Sequence, residues 1–167
     1  MNTPYKQSDQ TTKGFTIIEV VLVLAIAGLI FLMVFLALPA LQRSQRDTDR
    51  KNALSRISTQ LVNYQTSNRG GIPDETKLTA RDSGFVTKYL GGNVSVAGSE
   101  YIDPSSGDGY TLSYNDNSSD TPDAGEIFYA TGKLCGLDGA ITNGTGRQYA
   151  LRIKLEGQTS SYCVDNR

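Results

Sequence analysis

Histidine is absent from all 167 residues. That absence removes Ser-His-Asp and Cys-His triads, the HExxH zinc site and imidazole proton shuttles together. Cysteine occurs only twice, at Cys135 and Cys163, too few for a zinc ribbon and too far apart for a CxxC redox pair. One disulfide is the natural reading, with two free thiols as the alternative. Neither sign of charge is in excess: 16 Lys plus Arg against 17 Asp plus Glu leave a net −1, so bulk charge gives no reason to expect nucleic acid or an anionic surface as partner. A basic stripe with interleaved aromatics, which would suit single-stranded nucleic acid, is also missing. The length suits one ordinary domain. These absences predict a protein that is no enzyme, has no catalytic residues and carries no cofactor.

What is present is concentrated near one end. Residues 20–38 form 19 consecutive positions without a charged or polar side chain. A hydrocarbon core of roughly 30 Å needs about 20 apolar residues in a helix, so this run is long enough to span. It is longer than the apolar region of a secretory signal peptide. Glu19 adjoins it directly. A carboxylate at the edge of a span either snorkels to the interface or needs a partner of opposite charge.

The string Lys13, Gly14, Phe15, Thr16, Ile17, Ile18, Glu19 and Val20, followed by the apolar run, resembles the amino-terminal signature of type IV pilins and of the related type II secretion pseudopilins. The resemblance implies a leader of residues 1–14, cut after Gly14 by a prepilin peptidase that methylates the new amino terminus, Phe15. The leader is polar and stays on the cytoplasmic side. Glu19 is then expected to face the methylated amine of a neighbouring subunit and to set the register of assembly. The implied partners are the peptidase, an inner-membrane assembly platform, membrane lipid before assembly, and further copies in a helical filament. The implied history is a single-pass precursor in the cytoplasmic membrane and then an extracellular pilus, a cell-surface fimbrium of the kind that serves adhesion, twitching motility or secretion. A pseudopilin or a minor pilin is the alternative within the family. From another class, the alternative is a monomeric, membrane-anchored extracellular binding domain. Arg43, Arg46, Arg50, Lys51 and Arg56 after the span outnumber Lys6 and Lys13 before it, and a simple positive-inside count would point the other way. The leader and the cysteines outweigh that count. Pro39 departs from the pattern of many pilins, whose proline lies about three residues earlier; a kink or local opening is expected within one turn before it.

The expected fold class is α+β, a long amino-terminal helix packed on a small antiparallel sheet. Residues 15–41 form its membrane and assembly part and residues 42–69 its amphipathic part. In the latter, Leu54, Ile57, Leu61 and Tyr64 make a narrow apolar stripe at helical spacing. The helix is predicted to run from 16 to about 67. Residues 42–56 carry five bases and two acids, whereas residues 57–167 carry nine bases and thirteen acids. This basic collar is either a solvated face or a complement to the acidic heads of stacked subunits. Gly70, Gly71 and Pro73 end the helix. Residues 70–109 form a connecting region with a short helix over 81–90, carried by Phe85 and Tyr89.

From residue 110 the pattern becomes short alternating runs between Gly, Asn, Asp and Pro. Strands are predicted over 110–114, 126–131, 148–155 and 161–164, making 110–167 a sheet that rests on the helical stripe. A bridge from Cys135 to Cys163 would staple its last loop, in the manner of pilins. Residues 115–125 and 136–146 are the longest expected solvent-facing loops. No metal is expected. The acidic loops hold Asp103, Asp108, Asp116 and Asp120 as calcium candidates, a chemistry found near this region in some pseudopilins, but they lack the EF-hand order and match ordinary turn composition equally well. Asn93, Asn117 and Asn143 stand in three-residue glycosylation sequons.

Overall fold

The structure is a computed structural model and describes residues 14–79, 84–91 and 101–167. The leader up to residue 13, the first part of the predicted helix over 81–90 and the sequon at Asn93 lie outside the described residues. The chain divides into two compact units, one ending at Ala40 and one beginning at Leu41. Helix α1, Ile17–Ser67, belongs to both. The fold class is α+β as expected, with one long helix and a small sheet.

Pro39 lies inside α1, and the helix is uninterrupted there. Its ring removes the N–H that would reach the Phe35 carbonyl, a local loss that the flanking turns outlast. At the far end the Gly70 N–H donates to the Gln65 carbonyl at 2.7 Å. Arg69 and Gly70 both adopt left-handed backbone, with φ of 56° and 82°. A glycine accepts that conformation without steric cost, and Pro73 follows shortly after.

The core of the second unit follows from the apolar stripe. Leu54, Ile57 and Leu61 are 0% exposed, in one cluster with Leu112, Ile127, Tyr129, Leu151 and Ile153. Two short helices close one side of it, α2 (Glu75–Thr79) and α3 (Phe85–Tyr89). The Asp74 carboxylate accepts from the Lys77 N–H at 2.8 Å and so starts α2, which the sequence pattern did not suggest. Phe85 and Tyr89 stack at 5.6 Å, with Tyr64 edge-on to both. Tyr149 donates to the Ser58 carbonyl at 3.1 Å and Tyr129 to the Pro73 carbonyl at 2.7 Å, so each of these two buried phenols keeps a partner.

Six strands follow: β1 (Thr111–Tyr114), β2 (Glu126–Thr131), β3 (Lys133–Cys135), β4 (Ile141–Asn143), β5 (Tyr149–Lys154) and β6 (Ser161–Asp165). Four of them form one sheet in the order β1-β2-β5-β6, and β3 pairs with β4 in a second. The all-antiparallel expectation needs correction, because β1 runs parallel to β2. Parallel neighbours cannot be joined by a hairpin, so the 115–125 segment must carry the chain back across the sheet to the start of β2. The expected loop over 136–146 is corrected too. It contains β4 and a 3-10 turn, Leu137–Gly139.

Alternation divides the sheet into two faces. Leu112, Ile127, Tyr129, Leu151, Ile153 and Val164 lie on the α1 side. The outer face carries two cross-strand rows, Phe128 with Arg152 and Cys163, and Ala130 with Ala150 and Asp165. Ala130 and Ala150 are buried with Ile141 of β4. That covering explains why β2 and β5 are buried on both faces.

Candidate functional site

The candidate residues lie at three places: the start of α1, the basic stretch beyond Leu41, and the disulfide. At the start, Gly14, Phe15 and Thr16 precede the first helical turn. The Glu19 Oε2 accepts from the Thr16 N–H and from the Thr16 hydroxyl, both at 2.8 Å, while the Glu19 N–H donates to the Thr16 hydroxyl at 3.3 Å. This is a reciprocal capping box, with Thr16 as the cap and Glu19 three positions into the helix. The pattern was present in the sequence as Thr-x-x-Glu before an apolar run. It was obscured because the neighbouring span directs attention to the charge of Glu19 rather than to its hydrogen bonds. Oε1 takes part in none of these bonds.

None of the residues from 14 to 40 is buried. Among the described residues, α1 is the one helix long and apolar enough to cross a membrane by length and composition. Its apolar surface must be covered by lipid or by other protein, because isolated in water it would be a patch far larger than soluble monomers carry.

Several bases of the collar are engaged within their own chain. Arg46 grips Glu156 with two hydrogen bonds, at 2.7 and 2.6 Å. Arg50 is 2% exposed and faces Asp103, itself 1% exposed, at 3.0 and 3.1 Å. It also lies 3.2 Å from Glu156 and 3.6 Å from Asp47. Asp47 in turn accepts the Glu156 N–H at 2.8 Å. Lys51 stands 5.2 Å over the Tyr162 ring. Much of the collar thus fastens the helix to its own head. Burial alone would raise the Asp103 pKa, yet hydrogen bonds from Arg50 and Ser105 bring it below the ordinary carboxylate value. Glu156 is lowered as well, chiefly by Arg46.

The calcium candidates have other partners. The Asp103 oxygens are engaged by Arg50 and Ser105, and those of Asp120 accept from the side-chain amides of Asn115 and Asn117 at 3.0 Å each. Asp108 uses its backbone to close the turn, its carbonyl accepting the Asp103 N–H at 2.8 Å, and Asp116 is exposed. Among the described residues no group of three His, Cys, Asp or Glu side chains is placed to hold a metal ion. Of the described sequons, the Asn117 amide is tied to Asp120 and Asn143 accepts from Lys133 at 2.9 Å.

Cys135 and Cys163 are bridged, with Cα atoms 5.8 Å apart. The bond fastens β3 to the outer face of β6, where the Cys135 N–H also donates to Asp165 at 2.7 Å. The cluster beneath this flap is small, with Ala130, Ile141 and Ala150 buried in it, so the covalent link adds substantially to the attachment. Closing a loop of 28 residues is worth about 3.6 kcal/mol in the chain-entropy model. Alkylation should label two thiols only after reduction. Reduction should then speed hydrogen exchange in β3 and β4 first, leaving the β2 and β5 ladder protected. Thiols that react before reduction, or loosening that begins in α1, would contradict this placement.

Comparison with known protein families, with curated proteins and with solved structures finds no match for this chain.

Proposed function

We propose that the chain is a structural subunit of a type IV pilus-like filament, held in the membrane as a precursor and polymerised through α1. The observation that carries this reading is a single helix whose first part is apolar and wholly unburied, and whose second part docks a disulfide-closed head. An unburied apolar helix suits two successive environments, the bilayer before assembly and a bundle of like helices afterwards. The capping box adds a second support. It starts the helix immediately after Phe15, so a chain cut behind Gly14 would keep its first turn intact.

The reading predicts a mature chain that begins at Phe15 with a methylated amine, and amino-terminal mass spectrometry of the native protein checks it. A chain that retains Met1, or that starts inside the apolar run, excludes processing of this kind. Gly14→Val should block cleavage, because a peptidase must approach the backbone closely at that position. Electron microscopy of sheared cell-surface material, with mass spectrometry of the filament band, separates a filament subunit from an anchored monomer. Abundance within that band separates a major subunit from a minor one.

A further inference from the structure

Arg152 is the largest fully buried side chain among the described residues, at 1% exposure, and the ion pairs among those residues do not include it. It lies in the middle of β5, on the outer face, between Phe128 of β2 and Cys163 of β6. Its guanidinium donates to the main-chain carbonyls of Asp120 at 2.7 Å, Asn117 at 2.8 Å and Asn115 at 3.5 Å, and sits 5.4 Å over the Phe128 ring. All three carbonyls belong to 115–125, the segment that returns the chain from β1 to β2.

A segment that crosses a sheet without being helix or strand leaves its own carbonyls without partners, and buried carbonyls left so are costly. A fixed fork of five donors can meet several of them from a single point. Within the turn the remaining polar groups answer one another. Asn115 Oδ1 accepts the Asn117 N–H at 2.9 Å, Asn117 Oδ1 accepts the Ser119 N–H at 3.1 Å, and both side-chain amides donate to Asp120. Asp120, one of the calcium candidates, is therefore part of the frame of a turn folded around an internal cation.

We infer that Arg152 is the lock of this crossing: by holding the carbonyls of Asn115, Asn117 and Asp120 it fixes the 115–120 turn on the sheet and thereby keeps β1 in parallel register with β2. β1 is an edge strand of four residues, paired on one side only, so a fixed 115–120 turn adds to the register that burial of Leu112 sets. The lock does not depend on filament formation.

Hydrogen exchange on the full chain in detergent micelles tests it, comparing Arg152→Gln with Arg152→Lys. The Gln variant should speed exchange at Asn117, Ser119 and the β1 amides by about tenfold or more, while the β5 and β6 ladder and the α1 amides of Leu54, Ile57 and Leu61 keep their rates. The Lys variant keeps the charge but not the fork, and should loosen the same amides to a smaller extent. If Arg152→Gln does not fold, Arg152→Lys decides alone: loosening confined to 115–120 and β1 supports the lock. Wild-type rates at those amides in a folded variant would overturn it. So would loosening spread evenly over the sheet, which would make Arg152 a core filler and nothing more.

Discussion

If the chain is the filament subunit proposed above, Glu19→Gln should lower filament yield at matched subunit level by about tenfold or more, while insertion and cleavage proceed normally. The substitution is informative because glutamine serves a capping box as well as glutamate does. The bonds from Thr16 to Oε2 can pass to the amide oxygen, so the first turn of α1 stays in place and only the charge is lost. If the carboxylate does no more than cap the helix or sit at the interface, yield stays at the wild-type level. If it pairs with the amino terminus of a neighbouring copy, that amine is left without its anion in an apolar setting, and assembly fails. Thr16→Val is the complement. It keeps the charge and removes the hydroxyl from the box, so it should fray the first turn with a smaller loss of yield. Acetylation of the amine in the Glu19→Gln background should recover part of the defect, since both charges are then gone. Wild-type yield from Glu19→Gln would show that this carboxylate does not select the assembly register.

The second large effect concerns stability. Arg50→Met leaves Asp103 buried with Ser105 as its remaining side-chain partner, and removal of one member of a buried pair costs about 3–5 kcal/mol. Thermal unfolding of the full chain in micelles should shift down by roughly 10–20 °C. Asp103→Asn in the same background should restore part of the loss, because the stranded charge is what costs most. A shift of only a degree or two would show that the pair is wet and contributes little. Acid should act in the same direction. Asp103 and Glu156 have folded pKa values below their unfolded ones, so their contribution is complete above the ordinary carboxylate range of about pH 4 and is lost as pH falls through the lower folded values. Arg50 is raised and stays charged throughout that window. The head should therefore lose stability on the acid side more steeply in the wild type than in the Arg50→Met, Asp103→Asn double variant.

Local pattern carried the elements that local physics decides. The stripe of Leu54, Ile57 and Leu61 announced the buried side of α1, and the apolar run of β2 and the alternation of β5 announced strands. The two cysteines had only each other. The parallel pairing of β1 was hidden because alternation of side chains is the same in either direction. β3 and β4 have three residues each, too few to show a period. The partners of Arg46 and Arg50 lie 110 and 53 positions away, beyond any window of local reading. Arg152 stood in an alternating strand as an apparently outward base. Only the returning 115–125 segment, which covers that face, turns it inward.

Arg46 meets Glu156 across 110 positions of sequence, and the order in which the chain emerges gives that distance a consequence. Arg152, Glu156 and Cys163, the groups that lock the crossing, fasten the helix and close the flap, all come after every segment they hold. Vectorial synthesis therefore presents α1, β1 and β2 before these three fasteners exist, with Asp103 an earlier hold on α1. The head cannot be completed piecemeal from its amino-terminal side, and pairing over such separations is slow. Until Cys163 has emerged, the exposed strands depend on not meeting another chain. In the proposed filament, a subunit with a closed head would be one whose synthesis has already passed residue 163, so late closure would serve as a check on completeness.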